Sequence, residues 1–181
     1  MTTQYYTASS LDGFIADRDN SLDWLFQRFS EPGNSDYPDF IRDVGAIAMG
    51  ATTYEWVMDH EVRPKGTPWP YSQASWVFTT RERAGPAGAD IRFVKGDVRP
   101  VHEAMVKAAG GKNIWLVGGG ELVGQFHDAG LLDELIVIIT SVTLGAGAPL
   151  LPRMISNPPL KLLSVEQRGD GFAALRYAVR R

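Results

Sequence analysis

Ile114-Trp115-Leu116-Val117-Gly118-Gly119-Gly120-Glu121-Leu122 runs from a continuous apolar stretch through three glycines into a segment of helical character. A short apolar run closed by glycine reads as a buried strand. Gly120 to Ala129 then reads as the helix that follows it. Glycines let the backbone turn sharply and let a ligand approach the amides with no Cβ in the way. The unpaired N–H groups and positive dipole end of the helix favour an anion such as phosphate. The spacing is not the Gly-x-Gly-x-x-Gly fingerprint of doubly wound dehydrogenases. A plain strand-to-helix turn and a phosphate cradle are both readings of this segment.

Two further strand ends have similar chemistry. Ala48-Met49-Gly50-Ala51-Thr52-Thr53-Tyr54-Glu55 passes from strand to helix, with Thr52 or Thr53 expected to cap it. Val77-Phe78-Thr79-Thr80-Arg81-Glu82-Arg83 places hydroxyls and guanidinium groups after a buried strand. Open parallel sheets bind ligands at such ends. Taken singly, capping and a solvated turn account for these two segments.

Around these junctions, strands are expected at Thr3 to Ser9, Phe14 to Ala16, Ala46 to Met49, Trp76 to Thr79, Ile91 to Val94 and Leu135 to Thr140. Helices are expected at Pro38 to Val44, about Thr52 to Met58, and Val98 to Ala109. Gly110-Gly111 ends the last of these. Ser30 to Pro38 reads as a surface loop. Glu61 to Gln73, with three prolines, reads as irregular. Gly169-Asp170-Gly171 joins two closing strands, Leu160 to Arg168 and Phe172 to Val179, in a hairpin. Such alternation predicts an α/β fold of three layers: a mainly parallel sheet, helices on both faces, and an antiparallel C-terminal edge.

Composition narrows the function. A chain of 181 residues without repeats or linkers fits one domain. The formal net charge is −3 and no long basic run occurs, which argues against nucleic acid as the main partner. The absence of cysteine excludes disulfides, thiolate metal sites and a cysteine nucleophile. His60, His102 and His127 are far apart in sequence and form no metal-ligand pattern. No apolar run approaches the roughly 18 residues of a membrane helix, and no signal peptide is apparent. A cytoplasmic location, away from membranes, is expected.

Set in order, Ala8-x-x-Leu11-Asp12-Gly13-x-Ile15-Ala16, Trp24, Met49-Gly50-x-x-Thr53-Tyr54-Glu55, Thr79-Thr80-Arg81 and Val117-Gly118-Gly119-Gly120 resemble the dihydrofolate reductase superfamily. Leu131-Leu132-Asp133-Glu134-Leu135 and Leu144-Gly145-Ala146-Gly147 are similar to its branch containing the C-terminal reductase domain of bifunctional riboflavin biosynthesis enzymes. The resemblance covers nearly the whole chain and implies an eight-stranded sheet. By resemblance the cofactor is NADPH, with the Ala8 backbone and the Ile15 side chain bordering the nicotinamide. The turns Gly50 to Thr53, including Thr52, and Gly118 to Val123, including Gly119, Gly120, Glu121 and Leu122, would hold the pyrophosphate. Val117 leads into the second turn. Thr79, Thr80 and Arg81 would lie at the adenosine end, with Arg81 reading the 2′-phosphate.

On the substrate side, the resemblance makes Asp12 and Asp36 candidates for supporting protonation. It makes Trp24, Asp39 and Thr140 candidates for substrate binding. Three positions depart from the family pattern. Tyr6 stands where the riboflavin branch carries lysine, Gly118 where it carries glutamate, and Ala51 where a basic residue is frequent; Arg81, Arg83 or Lys95 would compensate for the last.

The expected activity is NADPH-dependent hydride transfer to a small heterocycle, as in dihydrofolate reductase or 5-amino-6-(5-phosphoribosylamino)uracil reductase. A non-catalytic nucleotide- or flavin-binding module on the same fold is the alternative, and a deazaflavin could replace NADPH. A homodimer is expected, because relatives in this branch pair through the sheet edge at the segment corresponding to Leu135–Leu151.

Overall fold

Strands whose consecutive residues are all apolar need cover on both sides. In the computed structural model, which describes residues 1–27 and 36–180, the strands are covered in this way. The main sheet comprises β1 (Thr3–Ser9), β3 (Val44–Gly50), β4 (Ala74–Phe78), β5 (Ile91–Val94), β6 (Asn113–Gly118), β7 (Glu134–Thr140), β9 (Lys161–Arg168) and β10 (Phe172–Ala178). Their order is β5-β4-β3-β6-β1-β7-β10-β9. The first six are parallel, and β10 and β9 run antiparallel at one edge. A small second sheet pairs β2 (Phe14–Ala16) with β8 (Ala148–Pro149).

Successive residues of a strand face opposite layers. Tyr5, Ala46, Ala48, Ile114 and Leu116 pack beneath α4 (Val98–Ala109) and α5 (Gly120–Asp128). Tyr6, Ile47, Met49, Trp115 and Ile138 belong to the core on the other face, with α2 (Tyr37–Arg42) and α3 (Ala51–Val57). This is the expected three-layer α/β arrangement. No helix among the described residues is long and apolar enough to cross a membrane.

Several details differ from the sequence reading. α3 continues into a π-helical turn over Met58–Val62, closed by the Arg63 amide donating to the Met58 carbonyl. This turn reaches into the start of the segment expected to be irregular. α1 (Asp23–Phe26) and β8 were not expected. Four and two residues are too few to show a period, and β8 exists only through its pairing with β2. β7 lies between β1 and β10, so it is an interior strand and presents no sheet edge. The expectation that this strand forms a sheet edge is therefore corrected; the edges of the described sheet are β5 and β9. Of the expected loop Ser30 to Pro38, residues 30–35 lie outside the described residues.

Candidate active site

Parallel strands bring their C-terminal ends to one side of the sheet, and two of them feed directly into helices. Gly50 ends β3 and is the N-cap of α3; Gly119 follows β6 and is the N-cap of α5. Neither helix has a side-chain cap. The first-turn amides, which lack intrahelical acceptors, are thus left for another partner. The expected capping by Thr52 or Thr53 is corrected: α3 begins at Ala51, so both threonines lie in its first turn. Gly50 has the extended conformation a cap requires, at φ −79° and ψ 166°. The two turns abut, since a Cβ on Gly50 would stand 3.9 Å from the Gly119 nitrogen. The Gly118–Gly119 peptide is cis.

The three glycines serve different ends. A Cβ on Gly120 would lie 2.3 Å from the Pro149 carbonyl oxygen and 2.5 Å from that of Leu150, so packing requires glycine there. A Cβ on Gly119 would meet nothing within 4 Å. Its φ of −79° and ψ of 174° suit any residue. Neither packing nor conformation explains this glycine. Open space directly over uncapped amides does, because a side chain would fill the place a phosphate needs.

The space is a cavity of about 850 Å³. Ala8, Ile15, Gly50, Thr52, Thr53, Val117, Gly118, Gly119, Gly120, Glu121 and Leu122 all line it. Val123 does not; its side chain is fully buried in the core and its amide donates to the Gly119 carbonyl. Glu121 is held by the Arg153 guanidinium at 2.7 Å, a hydrogen bond that keeps its carboxyl below the usual range.

Thr79, Thr80 and Arg81 line an adjoining groove of about 720 Å³, together with Arg83, Lys95 and Gly96. Trp56, Ala51 and Thr52 border both spaces. Arg83 is paired with Glu55. Arg81 and Lys95 are exposed and pair with no carboxylate among the described residues. Two cations are therefore available in the groove to balance the Ala51 departure.

The rest of the cavity is an aromatic wall that the sequence pattern did not single out. Tyr37 and Tyr71 each meet Trp115 edge-on at 5.7 Å, and Tyr6 does so at 6.3 Å. All four line the cavity, as do Leu22, Leu25 and Phe26 around α1. The signals available were the Trp69-Pro70-Tyr71 cluster in a polar stretch and the Leu22-x-x-Leu25-Phe26 spacing.

The acidic candidates are elsewhere. Asp12 is exposed and accepts hydrogen bonds from Ser10 Oγ at 2.6 Å, the Leu144 amide at 3.0 Å and the Gly145 amide at 2.7 Å. Those bonds lower its pKa, with Ser10 the main contributor. It clasps the first turn to the glycine-rich loop and does not line the cavity. Asp36 lines a second cavity of about 250 Å³, with Asp39 and Arg168. Its carboxylate accepts from the Tyr6 hydroxyl and from Arg168, both at 2.7 Å. Burial raises its pKa, but the bonds from Arg168 and Tyr6 outweigh burial and hold it below the ordinary value. Asp39 is exposed and paired with Arg42. Trp24 is half-buried, donates to the Ser21 carbonyl at 3.2 Å and lines neither cavity. Thr140 is buried, and its hydroxyl donates to the Ser9 carbonyl at 3.2 Å. The structure brings the cofactor candidates other than Val123 to the cavity and its adjoining groove, and leaves the substrate candidates Asp12, Asp36, Asp39, Trp24 and Thr140 outside the cavity.

The chain is similar to known proteins in sequence and in fold. The chain is 33% identical to the uncharacterized protein YwjB of Bacillus subtilis, over 93% of this chain and 92% of that one. It superposes on a putative riboflavin biosynthesis protein from Shewanella sp. PV-4 with a TM-score of 0.81 and 26% identity, covering all of both chains. Dihydrofolate reductase from Enterococcus faecalis, solved with NADP(H), is similar in fold at a TM-score of 0.61 and 13% identity, over 98% of this chain and 95% of that one. Residues 54–174 match the model of the RibD C-terminal domain. The chain belongs to the RibD C-terminal domain family, on a dihydrofolate reductase-like fold.

Proposed function

We propose that this chain is an NADPH-dependent reductase that delivers hydride to an electron-poor C=N or C=O of a small heterocycle. The observation that carries the reading is the open cradle at Gly119, over two uncapped helix starts, beside a groove containing Arg81 and Lys95. This donor set fits a dinucleotide pyrophosphate and a ribose 2′-phosphate. Bound there, NADPH would supply the hydride from C4 of its nicotinamide. The chain's own share is to hold and orient two rings in a cavity lined largely by apolar and aromatic side chains. Ala8 and Ile15 would border the nicotinamide, and the aromatic wall would seat the substrate. With Asp12 and Asp36 outside the cavity, the accompanying proton would come from water or from a cavity hydroxyl.

Calorimetry with NADPH and NADH, followed by NADPH oxidation against a panel of pterins, aminopyrimidines and quinones, tests the reading. Absence of NADPH binding at millimolar concentration sinks it. One observation favours the alternative of a non-catalytic nucleotide- or flavin-binding module. Among the described residues, the only carboxyl lining the cavity is Glu121, which is tied to Arg153. Tight NADPH binding with no oxidation against the whole panel would support that alternative.

The proposed homodimer needs a face other than β7. Leu162, Leu163 and Val165 are exposed on edge strand β9 and provide an apolar one. Light scattering of the chain and of a Leu163→Lys variant tests this.

A further inference from the structure

We infer, building on the reductase reading, that the substrate is an uncharged planar ring system, seated on the Trp115 wall with a polar edge bonded to the Tyr71 hydroxyl. Three observations converge on it.

The first is shape. Tyr6, Tyr37 and Tyr71 surround Trp115 with ring contacts of 5.7 to 6.3 Å, and Ile138 and Leu25 complete the surface. Interlocked rings form a stiff apolar face that suits a flat ligand.

The second is charge. Among the described residues that line the cavity there is no lysine, arginine or histidine. Arg168 lies beyond Tyr6 and is occupied by Asp36 and Glu166. A phosphate or carboxylate on this half of the ligand would lose water and gain no counter-charge from the described lining residues. A cationic ligand fares no better, because Glu121, the only carboxyl among the described lining residues, is tied to Arg153, and Asp36 and Asp39 line the other cavity. Among the described residues, Arg81, Arg83 and Lys95 stand in the adjoining groove, and Arg153 is tied to Glu121 and Asp128. Tyr6, in place of the lysine of the riboflavin branch, has its hydroxyl committed to Asp36.

The third is a polar group without a partner. The Tyr71 hydroxyl makes no hydrogen bond among the described residues, although the ring is partly buried in the wall. Burial pushes its pKa up, so it stays protonated and donates. A carbonyl or ring nitrogen on the ligand edge would satisfy it.

The test titrates matched probes into the full chain saturated with NADP⁺ and follows heat. 6-Methylpterin and pterin-6-carboxylate share one planar ring and differ in a single charge. Riboflavin and its 5′-phosphate, which adds a charge of about −1.5 to −2 at pH 7, form a second neutral–anionic pair. The neutral member of each pair is expected to bind at least about tenfold tighter than its anionic counterpart. Tyr71→Phe is expected to weaken 6-methylpterin about tenfold, with the melting temperature and NADP⁺ affinity unchanged. The inference is overturned if the anionic members bind as tightly, if methylene blue, a planar cation, binds tighter than riboflavin, or if no probe binds. An unchanged pterin affinity in Tyr71→Phe removes Tyr71 from it. NADP⁺ affinity is read separately in the same samples. Its absence defeats the reductase reading itself, whereas NADP⁺ binding combined with a preference for anionic probes defeats only the substrate class.

Discussion

The two halves of the cavity are made of different material. Toward the ends of β3 and β6 the surface is mostly backbone: glycines, first-turn amides and two threonine hydroxyls. On the other side it is side chains, with rings contributed by β1, α2, the loop before β4, and β6. A backbone site needs particular conformations and the absence of Cβ atoms at particular places. A side-chain site needs several residues held against one another by the whole fold. The first is therefore sensitive to the addition of single methyl groups, and the second to their removal.

The contrast can be tested from both directions. Trp115→Ala removes the centre of the wall, together with its indole bond to the Tyr6 carbonyl at 3.0 Å. Chemical denaturation should show a loss of about 3–5 kcal/mol, as for other buried aromatic truncations. A loss below about 1 kcal/mol would mean that the wall does not hold itself together. Gly120→Ala forces a methyl against the Pro149 and Leu150 carbonyls. It should destabilise the fold by about 1–3 kcal/mol. Gly119→Ala, one residue earlier, should leave the unfolding midpoint of the ligand-free chain unchanged and weaken NADPH about 10- to 100-fold, the worth of a charge-assisted hydrogen bond. If Gly119→Ala unfolds the chain while sparing affinity, the division of labour among the glycines is wrong.

Smaller effects lie at the margins. Arg81→Ala should raise the NADPH Kd about fivefold at low salt and leave NADH unchanged, since an exposed cation on a phosphate is screened. Asp36 has a depressed pKa in the folded chain. Its contribution to stability is therefore present above the ordinary carboxylate pKa of about 3.9, and it is lost as pH falls through the lower folded value. Asp36→Asn should flatten that acid limb of the melting curve. An unaltered limb would show that the Tyr6–Asp36–Arg168 chain contributes nothing.

The backbone half was legible in the sequence for a physical reason. Glycine runs after apolar strands carry their conformational meaning locally, so Gly50 and Gly118 to Gly120 could be read where they stand. The mainly parallel sheet with helices on both faces followed from strands that need cover on both sides, but the strand order did not, and β7 was read at an edge although it lies inside the sheet. The wall was not legible. Tyr6 and Trp115 meet across 109 positions, and no local pattern signals that meeting. Asp12 and Asp36 were readable as acids, but their partners were not. Three hydrogen bonds from Ser10, Leu144 and Gly145 turn the first into a clasp. An arginine from β9 neutralises the second.

The position of β1 bears on how the chain is made. It is paired on both sides by strands far downstream, Tyr5 lying beside Leu116 on one flank and Leu135 on the other. During ribosomal synthesis this segment, with Tyr5 and Tyr6 that the fold buries, emerges long before either neighbour exists. The sheet therefore cannot assemble outward from the start of the chain; it must wait until β6 and β7 have left the ribosome. Long-range pairing of this kind folds slowly and leaves apolar surface uncovered meanwhile. Delayed completion of the sheet is thus a consequence of where this interior strand is encoded.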